Sequence, residues 1–161
     1  MFPAMRRFKQ ELDQEEVEKI LASGQYGILA VSGADGYPYT VPLNYLYQQG
    51  KFYFHSAKEG HKLSALISDN RVSFCVVDKA DLVEEEYTTY FRSVVAFGRI
   101  RLIEEEEERE KWMRELALKF RPGHPDDLTK ELARSKRDYL ILELEVDHMT
   151  GKQAIELVRK G

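Results

Sequence analysis

The sequence has almost no cysteine, no long apolar run and no excess of positive charge, and each shortage removes a class of protein. Its single thiol, Cys75 in the apolar stretch RVSFCVV, cannot form a disulfide within the chain and reads as a buried side chain rather than a nucleophile. One cysteine and four histidines that do not recur at ligand spacing on a helix give no basis for a metal site. No apolar run approaches the roughly 20 residues that span a bilayer, and MFPAMRRFKQ lacks the apolar core of a signal peptide, so no membrane partner is expected and a reducing cytoplasm fits. A net charge of -4 without a clustered basic surface argues against nucleic-acid binding through phosphate neutralisation. Also missing are a G-x-G-x-x-G fingerprint, a Walker A loop and a G-x-S-x-G elbow, which leaves dinucleotide-fold, nucleoside-triphosphatase and serine-hydrolase readings without sequence support.

What the chain does contain is a regular supply of strand-length segments. At 161 residues it suits a single domain over 1–161 with one well-buried core. Residues 13–24 read as a helix: Asp13 caps it, Glu16 completes a capping box, Val17, Ile20 and Leu21 form its apolar stripe, and Gly24 ends it. Strands follow over 26–32 and 37–47, joined by a hairpin loop at 33–36, and after a Gln48-Gln49-Gly50 turn a third strand stops at His55-Ser56. A helix with Leu63, Leu66 and Ile67 on one face comes next, then a turn at Asp69-Asn70 into a strand over 71–77.

Residues 78–86 are polar and read as a loop before a long strand over 87–103, in which Gly98 marks a bulge or a close approach. Five glutamates, Glu104 to Glu108, open a helix through Phe120 with Trp112, Met113, Leu116 and Phe120 as its buried side. Acidic residues suit the positive end of a helix dipole, so the run reads as a solvated cap and not as metal ligands. After a break at 121–125 and a short polar helix over 126–135, YLILELEV at 139–146 alternates apolar residues with Glu143 and Glu145, the pattern of a strand with one face in the core. A turn at Thr150-Gly151-Lys152 opens a tail without an assigned element. Hairpin-linked strands with inserted helices imply a mainly β fold, an antiparallel barrel or strongly coiled sheet, rather than a doubly wound parallel one.

One stretch has chemical character. Between Val41 and Lys62 a strand runs directly into a helix N-terminus, where unpaired N–H groups and the positive end of the dipole attract phosphate or carboxylate. His55, Ser56, Lys58, His61 and Lys62 add donors there, and Gly60 lets the backbone approach a ligand. In the preceding strand Pro42 cannot complete a central ladder, so a flat heterocycle could lie across Val41, Pro42 and Leu43 with Asn44 offering a donor and an acceptor; an edge strand with nothing bound is the alternative. His55 taken alone is equally well read as a hydrogen-bonded structural histidine. The set of histidine, serine, glycine and lysine at one junction favours function.

VPLNYLYQQGKFYFHSAKEGHKL, together with RSVVAFGRIRLIE, resembles the FMN-binding split β-barrel of the pyridoxamine 5'-phosphate oxidase superfamily, nearest its nitroimidazole-resistance (Nim-type) branch, over about residues 26–146. The resemblance implies that the backbone around Val41, Pro42, Leu43 and Asn44 borders a flavin ring, that His55 and Ser56 lie near the ribityl and phosphate, and that Gly60, His61 and Lys62 form the phosphate turn. It further implies a homodimer with FMN at the subunit interface, which Ser93 reaches from the other protomer. Two departures stand out: GKQAIELVRKG lacks the basic C-terminal segment with which oxidases hold pyridoxamine phosphate, and Glu59 stands where the phosphate turn often has a basic residue. The implied activity is that of an FMN-dependent oxidoreductase, a reductase of small planar nitro or quinone acceptors with NADH or NADPH as donor and His55 as the catalytic candidate. The alternative is a flavin- or haem-binding sensor or carrier without catalysis, since related split barrels also bind haem or deazaflavin; a structural dimer without ligand is a third reading.

Overall fold

The structure is a computed structural model that describes residues 1–58, 60–135 and 139–161, with the side chains of His61, Ile67, Leu128, Leu132 and Ser135 outside the described set. Its strands are β1 (Glu11–Leu12), β2 (Tyr26–Ser32), β3 (Pro38–Asn44), β4 (Leu46–Gln48), β5 (Lys51–Ser56), β6 (Arg71–Val83), β7 (Thr88–Leu102) and β8 (Leu140–Gln153). The helices are α1 (Gln14–Ser23), α2 (His61–Ser68), α3 (Glu106–Phe120), α4 (Pro125–Ser135) and α5 (Ile155–Lys160).

All the strands pair antiparallel in one sheet of order β3-β2-β6-β7-β8-β5-β4, with β1 added on β8. The two ends of that order, β3 and β4, are separated in sequence by Tyr45 alone. Edges joined by one residue must lie side by side, so the sheet is coiled almost into a barrel. β3 touches β5 without pairing to it, and the barrel stays split there. Tyr45 is buried at the crossing, where its hydroxyl donates to the Leu21 carbonyl at 2.9 Å and its own carbonyl accepts from Lys119 Nζ at 2.9 Å. The sequence pattern over 37–47 suggests one strand; this fully enclosed tyrosine divides it in two.

Alternation fills the interior. Leu29 and Val31 of β2, Phe52 and Phe54 of β5, Phe74 of β6, and Leu142 and Leu144 of β8 point the same way and form the main core, with Val17, Ile20 and Leu21 of α1 closing it. A second cluster, Tyr53, Ile103, Trp112, Leu116, Tyr139 and Ile141, lies under α3, with Tyr53 and Trp112 stacked at 3.6 Å. Because α3 covers that other face, β8 does not have one wet side at Glu143 as its pattern implies: Glu143 is 2% exposed. Arg101 holds its carboxylate at 2.8 and 3.1 Å and Lys51 approaches at 3.4 Å. Burial pushes the Glu143 carboxyl up, but the hydrogen bonds and charge of Arg101, with Lys51 behind them, outweigh it and hold the group below the ordinary glutamate value.

Elsewhere the expectations hold in part. Asp13 caps α1 through the Glu16 N–H at 2.8 Å, but Glu16 does not return the bond; its carboxylate goes to Arg92 and Lys19. Residues 78–86 are not a loop: β6 continues to Val83 against β7, with a bulge between Val77 and Lys79 and a short 3-10 turn at Glu84–Glu86. This hairpin arm is largely solvated, so its ladder needs no apolar alternation and the composition resembles a loop. β8 likewise runs straight through Thr150-Gly151-Lys152 to Gln153. Gly151 is no turn residue; a Cβ there would sit 2.6 Å from Val17 Cγ2, so glycine lets α1 and β1 pack on the strand. At Gly98 the register of β7 on β8 shifts, and a Cβ would meet the Glu145 carbonyl oxygen, so both a bulge and a close approach are present. Phe120, the last residue of α3, is 42% exposed and does not belong to the buried side.

Candidate functional site

β5 ends where β8 begins, His55 opposite Ile141 and Ser56 opposite Leu140. Ser56 is buried and its hydroxyl donates to the Ala57 carbonyl at 3.1 Å. Gly60 then opens α2 at φ 141°, ψ 166°, a conformation other residues rarely adopt, and supplies no side-chain cap. Its carbonyl accepts from the Leu63 N–H at 3.1 Å, so the helix starts on a bare glycine. α1 and α3 start differently: Asp13 accepts from Glu16 N–H, and Glu105 accepts from the N–H groups of Glu107 and Glu108. Only the first turn of α2, among these three, leaves its donors to something outside the helix.

The cations around this turn have no counter-charge among the described residues. Burial pushes the Lys62 ammonium below its ordinary value. Burial does the same to the His55 imidazole, and the nearby Lys62 charge adds to it. Among the described residues no carboxylate pairs with His55, Lys58 or Lys62. A lysine ammonium and an imidazole able to donate, beside a helix N-terminus without a side-chain cap, make a receptor for an anion. The side chain of His61 and all of Glu59 lie outside the described residues, so neither enters this geometry.

β3 is an edge strand, paired only with β2, and Pro42 sits there opposite Ile28. Val41 and Leu43 turn inward onto the core, while Pro42 and Asn44 face outward and are exposed. The Asn44 amide is partly committed, its Nδ2 donating to the Gln25 carbonyl at 3.1 Å. β3 touches β5 across the split and α2 packs on β2, so the proline-bearing strand runs along this seam and pairs with the strand that α2 covers.

Ser93 does not join them. Leu102 of β7 lies level with Leu142 and, through it, with Phe54 next to His55. Ser93 is nine residues back along β7, opposite Val77 and Lys152, which puts it roughly 30 Å down the sheet at about 3.3 Å per residue. Within one chain it cannot serve the corner at His55. The residue that sequence reading missed is Lys119, which reaches from α3 to donate to the carbonyls of Gly24 at 2.5 Å and Tyr45 at 2.9 Å and so pins the crossing beside the seam. A lysine in a helical repeat carries no local signal for such a distant contact.

Among the described residues no group of three or more His, Cys, Asp or Glu stands where it could hold a metal ion, and no helix is long and apolar enough to cross a membrane. A family model described as pyridoxamine 5'-phosphate oxidase matches residues 13–153. None of the curated proteins matches the sequence. Of solved structures, a candidate 5-nitroimidazole antibiotic resistance protein from Bacteroides thetaiotaomicron is 26% identical, with 89% of this chain and 86% of that one covered at a TM-score of 0.71. A FAD-binding protein from Mesorhizobium loti is 24% identical, covers 90% of this chain and 97% of its own, and gives a TM-score of 0.64. A FAD and haem binding protein from Mycobacterium smegmatis is 20% identical over 95% of this chain and 80% of its own, at a TM-score of 0.74.

Proposed function

The chain belongs to the pyridoxamine 5'-phosphate oxidase family, and from that premise we propose that it is a flavoprotein, an FMN-dependent reductase of small planar acceptors such as nitro or quinone compounds. The observation that carries the reading is the uncompensated corner: Lys62 half-buried beside His55, an α2 N-terminus without a side-chain cap, and no carboxylate to neutralise them among the described residues. Those features suit the phosphate of FMN, held by Lys62 and His61 with Ser56 and the N–H groups after Gly60. The exposed strand edge at Pro42 and Asn44 suits a planar ring, with Val41 and Leu43 anchoring that strand in the core. When bound, FMN supplies the redox chemistry: hydride from NADH or NADPH, and electrons for the acceptor. His55 holds or gives a proton at the acceptor and fixes its orientation, the one catalytic role assigned to this chain. A homodimer belongs to the same reading, with Ser93 meeting the cofactor from a second protomer; the lone thiol Cys75, half-buried and pushed up by burial, accords with a cytoplasmic setting.

Oxidation of pyridoxamine phosphate is not proposed. The segment GKQAIELVRKG does not match the basic C-terminal segment of oxidases acting on it, and of its two basic residues in α5, Arg159 and Lys160, the latter donates to the Tyr90 hydroxyl at 2.5 Å. A second reading, a flavin or haem carrier without turnover, draws on the neighbour described as binding both FAD and haem. The absorption spectrum of the purified protein separates the cofactors, flavin bands for the first and a Soret band for the second, and mass spectrometry of the native assembly distinguishes FMN from FAD and counts chains. Anaerobic addition of NADH or NADPH then bleaches the flavin of an enzyme and leaves that of a carrier oxidised. His55→Ala should slow turnover while FMN stays bound; unchanged turnover would refute the assigned role.

A further inference from the structure

The sheet also has an apolar opening on the face away from His55. In β5, Phe54 and Ser56 alternate with His55, so the strands that pair with them present their inner residues on the opposite side. There Ile100 and Leu102 of β7 and Leu140 and Leu142 of β8 meet Leu63 and Leu66 of α2 around a cavity of about 400 Å³. That size lies within the range of small-ligand pockets. Ile100 and Leu142 form a buried floor, and Leu102, 40% exposed, keeps the mouth open. At the rim stands Lys58, exposed and without a carboxylate partner among the described residues.

We propose that this cavity binds a small anionic amphiphile, a compact aliphatic chain ending in one carboxylate, with the chain among the six aliphatic side chains and the carboxylate on Lys58. The lining selects the chemistry. Among the described residues it has no aromatic face to stack a heterocycle and, apart from Lys58, no polar side chain to orient one, so they offer a flavin or nicotinamide little to recognise it there. An aliphatic tail needs only the area, and the Lys58 cation at the mouth complements one negative group at its end. The site opens on the other face of the sheet from His55; it shares Lys58 and α2 with the surroundings of the proposed flavin corner but uses neither His55 nor Lys62.

Decanoate and 1-decanol, titrated into the full chain by calorimetry and by NMR of Leu and Ile methyl groups, test the assignment. Decanoate should saturate, with shifts confined to the methyls of Leu63, Leu66, Leu102, Leu140 and their floor. Lys58→Glu, a change at an exposed position, should weaken decanoate roughly tenfold and leave decanol unchanged. Non-saturating binding, shifts spread over the protein, or decanoate binding Lys58→Glu as tightly as wild type overturns the proposal. So does movement of the same methyls with protein concentration alone, which would give the opening to a second copy of the chain.

Discussion

Lys51 and His55 stand at opposite ends of β5 on one face of the strand, and the chain treats charge differently at each. At the Lys51 end the Glu143 carboxylate is buried but matched, by Arg101 and Lys51, and the helix above it begins with Glu105 folded back onto its own N–H groups. At the His55 end Lys62 is desolvated and unmatched among the described residues, and the helix begins on Gly60 with no cap. The first region stabilises the fold by satisfying itself. The second costs stability unless an anion arrives, and that cost marks it as the place where a ligand acts.

The comparison can be broken from either side. Arg101→Ala leaves the buried Glu143 to Lys51 and the Tyr53 hydroxyl, and should cost about 3 kcal/mol in urea unfolding while flavin affinity stays unchanged; a variant that unfolds like wild type would remove the contrast. Lys62→Glu should do the reverse, weakening FMN roughly 100-fold by losing a charge-assisted contact and adding repulsion, with little change in the unfolding midpoint of the apoprotein. Gly60→Ala adds a Cβ that meets nothing within 4 Å, so its destabilisation, about 1–3 kcal/mol from backbone strain alone, separates conformation from contact. Glu105→Ala should cost about 1 kcal/mol and leave FMN binding untouched, since that cap serves only α3.

The smallest effect is in pH. His55 titrates below its ordinary value in the free protein, because of burial and then Lys62. A phosphate beside it favours the protonated ring, so the bound value lies higher and binding takes up a proton between the two. FMN affinity should therefore rise as pH falls through the bound value and level off below the free one, by no more than about tenfold per pH unit. NMR titration of the His55 ring with and without FMN reads both values; a ring value that FMN does not move would detach His55 from the phosphate.

Much of this was legible in the sequence because it is local. Alternation placed the strands, Asp13 and the glutamate run placed the starts of α1 and α3, and the ordered set from His55 to Lys62 named the corner before its geometry was known. What escaped depends on partners distant in sequence. Glu143 reads as a solvent-facing residue until α3 is laid over it, Gly151 reads as a turn until α1 packs against it, and residues 78–83 read as loop because a solvated ladder needs no apolar side chains. Lys119 and the one-residue crossing at Tyr45 were equally hidden, since nothing near either position announces that two sheet edges meet there.

The central claim is that the α2 corner grips an anionic tail, and the difference between FMN and riboflavin measures it, because the two share a ring and differ by the phosphate. Titrated into apoprotein, FMN should bind roughly 100-fold more tightly than riboflavin, and Lys62→Glu should close that gap while leaving riboflavin where it was. Equal affinity for the two flavins, or a gap that survives Lys62→Glu, would contradict the account.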